Sequence, residues 1–120
     1  MAYSNLCKGV FQARHYRPRT DKVIDTITIH HMAGNMTAKN CVTWLSGKDS
    51  PERSCNYAIG SDGEIWGGVE EEDEAYTSSS RANDGRAITI EVANDGGEES
   101  GWHVSDKAIT SLADLLADIC

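Results

Sequence analysis

The chain has 120 residues, 39% of them hydrophobic and 25% charged, which suits one core and leaves no room for a second, so residues 1–120 read as a single domain. A net charge of -8, with acidic runs at Glu70-Glu71-Glu72-Asp73-Glu74 and over 95–99, excludes nucleic acid as a partner, because phosphate-backbone binding needs a concentrated cationic patch. No apolar run approaches the roughly 18 residues of a membrane helix, and Lys8, Arg14, Arg17 and Arg19 are not followed by the apolar stretch of a secretory leader. We therefore expect no membrane partner and a protein that stays cytoplasmic until lysis or a holin-type route releases it.

Residues 23–31 alternate Ile27 and Ile29 with Thr26, Thr28 and His30, which predicts a strand. Met32-Ala33-Gly34-Asn35 breaks the alternation. Thr37 is then placed to cap a short helix from Ala38 to Leu45, with Gly47 to end it. Residues 56–59 and Glu64-Ile65-Trp66 flank Ser61-Asp62-Gly63, the signature of a β-hairpin. The acidic run that follows reads as a solvated loop or strand edge. Residues 86–93 form a second apolar strand, central by composition, with Glu91 set among Ile88, Ile90 and Val92. Ser105 can cap a last helix whose Ala108, Ile109, Leu112, Leu115, Leu116 and Ile119 share one face. That pattern runs to Cys120 with no terminating Gly, Asn or Pro, which reads as a boundary imposed from outside.

The order strand, helix, hairpin, strand, helix predicts an α/β fold, a mixed central sheet flanked by helices. Cys7, Cys41, Cys55 and Cys120 are scattered without a CxxC pair, so they read as reduced, packed thiols, and a four-cysteine zinc cage is excluded.

Two places can carry chemistry. His30-His31 ends a strand, and neutral imidazole is the commonest protein ligand for zinc; a structural or solvent-facing pair is the plainer alternative. Glu91 is a carboxylate inside an apolar strand. Such a group is costly unless it is paired, solvated in a cleft or protonated, which makes it a general acid/base candidate; otherwise it simply faces water at an edge.

Three blocks carry a resemblance: Ile27-Thr28-Ile29-His30-His31-Met32-Ala33-Gly34, then Ser54-Cys55-Asn56-Tyr57-Ala58-Ile59-Gly60-Ser61-Asp62-Gly63, then Ala82-Asn83-Asp84-Gly85-Arg86-Ala87-Ile88-Thr89-Ile90-Glu91-Val92. In order and spacing they resemble the zinc-dependent N-acetylmuramoyl-L-alanine amidases related to peptidoglycan recognition proteins, from about residue 23 onward. The resemblance implies zinc as cofactor, His30 but not His31 as a metal ligand, and Glu91 as the residue that activates the zinc-bound water. It implies substrate contacts at Asn56, Tyr57 and Thr77, and peptidoglycan as the partner. The reaction implied is cleavage between the lactyl group of N-acetylmuramic acid and the L-alanine of the stem peptide, by an endolysin or autolysin.

The chain departs from the family at Cys55, where some relatives have tyrosine, and at Thr77, where many have histidine. The family's other two zinc ligands, a histidine and a cysteine, lie beyond the helix that here reaches Cys120. The resemblance therefore implies a domain lacking its last strand and helix, with an open sheet edge available for self-association or for a complementing C-terminal segment. Neither His103, just before the Ser105 cap, nor His15 is expected to replace a missing ligand. The alternative reading is a binding module, or an inactive fragment, that holds muropeptide without cutting it.

Overall fold

The computed structural model describes residues 3–19, 23–45 and 53–120. The strands in chain order are β1 (Gly9–Val10), β2 (Tyr16–Pro18), β3 (Thr26–His31), β4 (Tyr57–Ile59), β5 (Ile65–Gly67), β6 (Asp73–Ala75) and β7 (Ala87–Val92). The helices are α1 (Ala38–Leu45), α2 (Arg81–Asp84) and α3 (Asp106–Ile119). Among the described residues β1, β5, β4, β7 and β3 lie side by side in that order, and β2 pairs with β6 in a separate ribbon. β7 runs parallel to both β3 and β4, while β4 and β5 form the antiparallel hairpin. The sheet is therefore mixed, as the sequence predicts, and β7 has a neighbour on each side.

Period-two alternation along β7 sorts its side chains into two layers. Ile88, Ile90 and Val92 join Tyr57, Ile59 and Ile65 beneath Ala108 and Leu115 of α3, and every one of these is buried. Covering each large aliphatic side chain contributes about 1.5–3 kcal/mol, so this layer supplies much of the fold's stability. On the opposite face Ala58 packs with Ala38, Cys41, Val42 and Leu45 of α1 and with Cys55. All four cysteines are free thiols, and Cys41 and Cys55 are buried in this second layer.

Both helix caps match expectation: the Thr37 hydroxyl accepts the Asn40 amide at 3.1 Å, and Ser105 accepts the Ala108 amide at 3.1 Å. The predicted stop at Gly47 lies outside the described residues. Gly63 adopts a φ of 86° in the hairpin turn, a left-handed conformation that glycine adopts without a side-chain clash. No helix of the described residues is long and apolar enough to cross a membrane.

The structure corrects several expectations. Strand β3 begins at Thr26, and Val23 and Ile24 are exposed, because the pairing with the β7 side starts only where the Asp25 and Thr26 amides meet the Arg86 carbonyl. Ile109 is 52% exposed, at the margin of the arc that α3 presents to the sheet. The acidic run at 70–74 is not uniformly solvated. Register places Arg17 of β2 opposite Glu74 of β6, and Glu74 is buried against that guanidinium. Glu71 accepts the Tyr57 hydroxyl. Arg19, also buried, donates to the carbonyls of Glu71, Asp84 and Ala87, and so ties the β2–β6 ribbon to the central strand.

Candidate active site

The parallel pairing of β3 and β7 sets His30 and Glu91 directly opposite each other. Partners in register point to the same face, here the face that α1 covers only in part. The imidazole Nδ1 stands 3.7 Å from Glu91 Oε1, close contact rather than a hydrogen bond. Both line a cavity of about 370 Å³ whose other walls include Met32, Met36, Trp44 and Thr77. His30 is 37% exposed and Glu91 17%. Burial pushes the Glu91 carboxyl up to about 7, against the opposing pull of the Arg53 charge. A carboxyl that titrates near neutrality can take a proton in one step and return it in the next, which is the requirement for general acid/base work.

The wall opposite the histidine is the segment 77–79. It has no regular hydrogen-bond ladder and is held by Asp84, which is 3% exposed. The Asp84 carboxylate accepts the Thr77 amide at 3.1 Å, the Ser78 amide at 3.1 Å and the Ser78 hydroxyl at 2.7 Å. Ser80 caps α2 by accepting the Asn83 amide. Between them Ser79 takes a φ of 62°, an unusual conformation for a residue with a side chain.

Of the substrate contacts predicted from sequence, Thr77 lines the cavity, but its hydroxyl lies 2.6 Å from the Ser54 carbonyl oxygen and 2.8 Å from the Thr89 hydroxyl. Asn56 and Tyr57 do not line the cavity; both are fully buried. The Asn56 amide reaches the Val69 and Glu70 carbonyls, and its oxygen accepts the Thr89 amide at 2.9 Å. Tyr57 alternates onto the α3 face, where its hydroxyl accepts the Ser4 amide at 2.7 Å. Both residues shape the scaffold under the groove.

His31 borders the cavity but turns toward Asn94, 3.1 Å away, and its ring lies tilted against that of Trp102, with centroids 5.6 Å apart. His103 is exposed and paired with Asp95 at 2.5 Å, outside the cavity lining. Among the described residues no three His, Cys, Asp or Glu side chains converge to hold a metal ion. Catalytic zinc takes three protein ligands, so the described residues alone do not fit it. Sequence reasoning missed the apolar wall of Met32, Met36 and Trp44, the cation Arg53, and Asp84 as the anchor of the opposite wall. The visible signal for the last was the Ser-rich stretch 78–80 followed within one short helix by an acid.

Comparison with known proteins places this geometry in context. The chain matches the family model described as N-acetylmuramoyl-L-alanine amidase over residues 19–120. No curated protein matches the chain significantly. Among solved structures, a selenomethionine derivative of AmpD superposes with a TM-score of 0.73 at 16% identity, covering 93% of this chain and 72% of that one. The endolysin N-acetylmuramoyl-L-alanine amidase LysCS from Clostridium intestinale URNW superposes at 0.67 with 20% identity, covering 98% of this chain and 76% of that one. The Drosophila peptidoglycan recognition protein PGRP-SA superposes at 0.61 with 21% identity, covering 86% and 61%. These likenesses establish the shared fold, and the chain spans less than the full length of each structure.

Proposed function

Because the chain belongs to the N-acetylmuramoyl-L-alanine amidase family, we propose that the groove over His30 and Glu91 is the reactive centre of a domain that hydrolyses the amide between N-acetylmuramic acid and L-alanine in peptidoglycan. The observation that carries the proposal is the in-register meeting of His30 and Glu91 on the floor of an open groove. Glu91 acts as general base toward the attacking water and returns the proton to the leaving amine, a cycle suited to a carboxyl that titrates at about 7. Thr77 and the residues around it form the wall along which the substrate lies. Zinc belongs to this proposal as the family's metal, with His30 as its ligand among the described residues and the other ligands outside them. An endolysin or autolysin role fits the same reading, supported by the likeness to LysCS.

A specific observation favours a second reading, a module that binds muropeptide without cutting it: no three metal-ligating side chains converge among the described residues. One assay separates the two. New amino termini released from purified cell walls are measured for the full-length gene product with zinc supplied and for its Glu91→Gln variant. The expected result is a loss of turnover of about 10²–10⁴-fold in the variant, with zinc content unchanged because Glu91 is not a proposed ligand. Equal turnover in both proteins would remove Glu91 from the mechanism. Wall binding without release in either would establish the binding module.

A further inference from the structure

Two of the four thiols sit together, and the chemistry of the groove uses neither. Cys41 and Cys55 are 2% and 1% exposed and share one apolar cluster with Ala38, Val42, Leu45 and Ala58. Thirteen residues separate them in the chain. Cys41 lies within α1, its amide bonded to the Thr37 carbonyl at 2.9 Å. Cys55 stands just before β4 and is anchored on both sides. The Ser54 amide donates to the Tyr76 carbonyl at 2.9 Å, and the Asn56 amide donates to the Thr89 carbonyl at 3.1 Å. Gly68 shows how closely the two elements approach. A methyl group there would meet the Cys55 carbonyl oxygen at 2.7 Å and a Val42 methyl at 3.4 Å, so α1 and the Cys55 backbone close on the same point. The Cys55 thiol hydrogen-bonds to that of Cys41, and this bond, together with burial, pushes it well above the usual thiol range.

A single buried cysteine behaves as a small apolar side chain. Two that meet from separately anchored elements are placed for a bond, since the sulfurs have only to close from contact to about 2 Å. There is also a way in, because Cys41 lines the cavity that holds His30 and Glu91. The remaining thiols lie elsewhere: Cys7 packs into the opposite layer beside α3, and Cys120 is exposed at the end of that helix.

We propose that Cys41 and Cys55 are a redox pair whose disulfide locks α1, the helix that gives Trp44 and Leu45 to the groove wall, onto the chain entering β4. The oxidant is a small organic disulfide. Cys41, reached through the cavity, attacks one of its sulfurs as the thiolate, so that a mixed disulfide forms and one small thiol leaves. Cys55 then loses its proton and attacks the Cys41 sulfur, and the second small thiol leaves with that proton. The protein has given up two protons and two electrons, and the reagent has taken them as two thiols. Burial and the hydrogen bond hold Cys55 in its thiol form, so the second step is slow and the lock closes over minutes to hours. A dithiol reductant reverses both steps. The closed bond restricts the unfolded chain and so stabilises the folded one, which makes the groove wall firmer in an oxidising medium than in a thiol-buffered one. The lock does not depend on what the groove binds.

The test incubates the folded full-length gene product with hydroxyethyl disulfide, blocks the remaining thiols and maps tryptic peptides by mass. Trypsin cuts after Lys48 and Arg53, so a Cys41–Cys55 bond joins two peptides that are otherwise separate. Thermal unfolding is followed alongside, with and without dithiothreitol. The expected result is that crosslink together with a Tm higher by about 10 °C, both reversed by dithiothreitol. Cys55→Ala should abolish the crosslink and the rise, while Cys120→Ser should alter neither. If Cys55→Ala fails to fold in dithiothreitol, the peptide map of the parent protein decides the matter alone. Cys41 and Cys55 both still free once Cys120 has fully reacted would overturn the pair, as would Cys41 joined to any other cysteine. A crosslink that forms only in urea, or that leaves Tm unchanged, overturns the lock, since the folded chain then does not hold the two sulfurs ready to bond.

Discussion

Strand β7 presents two different materials on its two faces. Toward α3 it offers Ile88, Ile90 and Val92, closed over by helix and hairpin. Toward the groove it offers Thr89, tied to Asn56, and Glu91, which has no hydrogen-bond partner among the described residues at the floor of the cavity. One face is where stability is made, and the other is where stability is given up so that a carboxyl can be held near neutrality. The contrast explains how one six-residue strand serves both as the spine of the core and as the carrier of the proposed reactive group.

The largest expected effect lies on the closed face. Ile90→Ala removes a fully buried side chain from between α3 and the sheet and should cost about 4 kcal/mol in urea unfolding, with little change in muropeptide affinity. A loss below about 1 kcal/mol would show that this face is loosely packed and that the contrast is overdrawn.

On the groove side the largest cost should come from charge rather than volume. Arg17→Ala strands the buried Glu74 carboxylate and should cost about 3 kcal/mol, and adding Glu74→Gln to it should recover most of that loss. If the double variant is no more stable than the single one, Arg17 contributes through packing against Tyr76 and not through Glu74.

The third effect is the most diagnostic, because it exists only above pH 4.5. Burial raises the Glu91 carboxyl from 4.5 to about 7. The unfolded chain therefore gives up this proton at lower pH than the folded one, so stability is fullest below pH 4.5 and is lost as pH rises toward 7. Glu91→Gln cannot ionise and escapes that loss. In chelator-treated protein the variant should be more stable than the parent by on the order of 3 kcal/mol above pH 7, with the gain vanishing below pH 4.5. A stability difference that does not vary with pH would mean that Glu91 is not held protonated by its burial.

Much of the frame was legible because it is written in local periodicity. The alternation in β3 and β7, the Asp62-Gly63 turn, and the caps Thr37 and Ser105 each depend on residues close in sequence. The remainder depends on distant partners. β1 is two residues long and pairs with Trp66 and Gly67, so its own sequence shows no strand pattern. β2 and β6 exist as strands only through each other, and the acidic run of β6 looks like solvated loop until Arg17 is set against it. The juxtaposition of His30 and Glu91 could be suspected from the resemblance, but their register comes from the parallel pairing itself. Asn56 and Tyr57 stand in a recognisable block, yet strand alternation and the hydrogen bonds to Thr89 and Ser4 turn both inward.

The parallel β3–β7 pairing also sets a schedule. The β4–β5 hairpin can form as soon as its own short turn is made, but parallel strands cannot be joined by a turn, and here α1, the hairpin and the β6 segment all intervene. Closing so long a loop is slow and comes after the local elements are in place. During synthesis, His30 leaves the ribosome long before Glu91 does, and until both strands dock against β4 and one another the two side chains have no shared face. The proposed reactive groove therefore takes shape only when β3 and β7 dock, and a chain in which they are apart has no shared His30–Glu91 face.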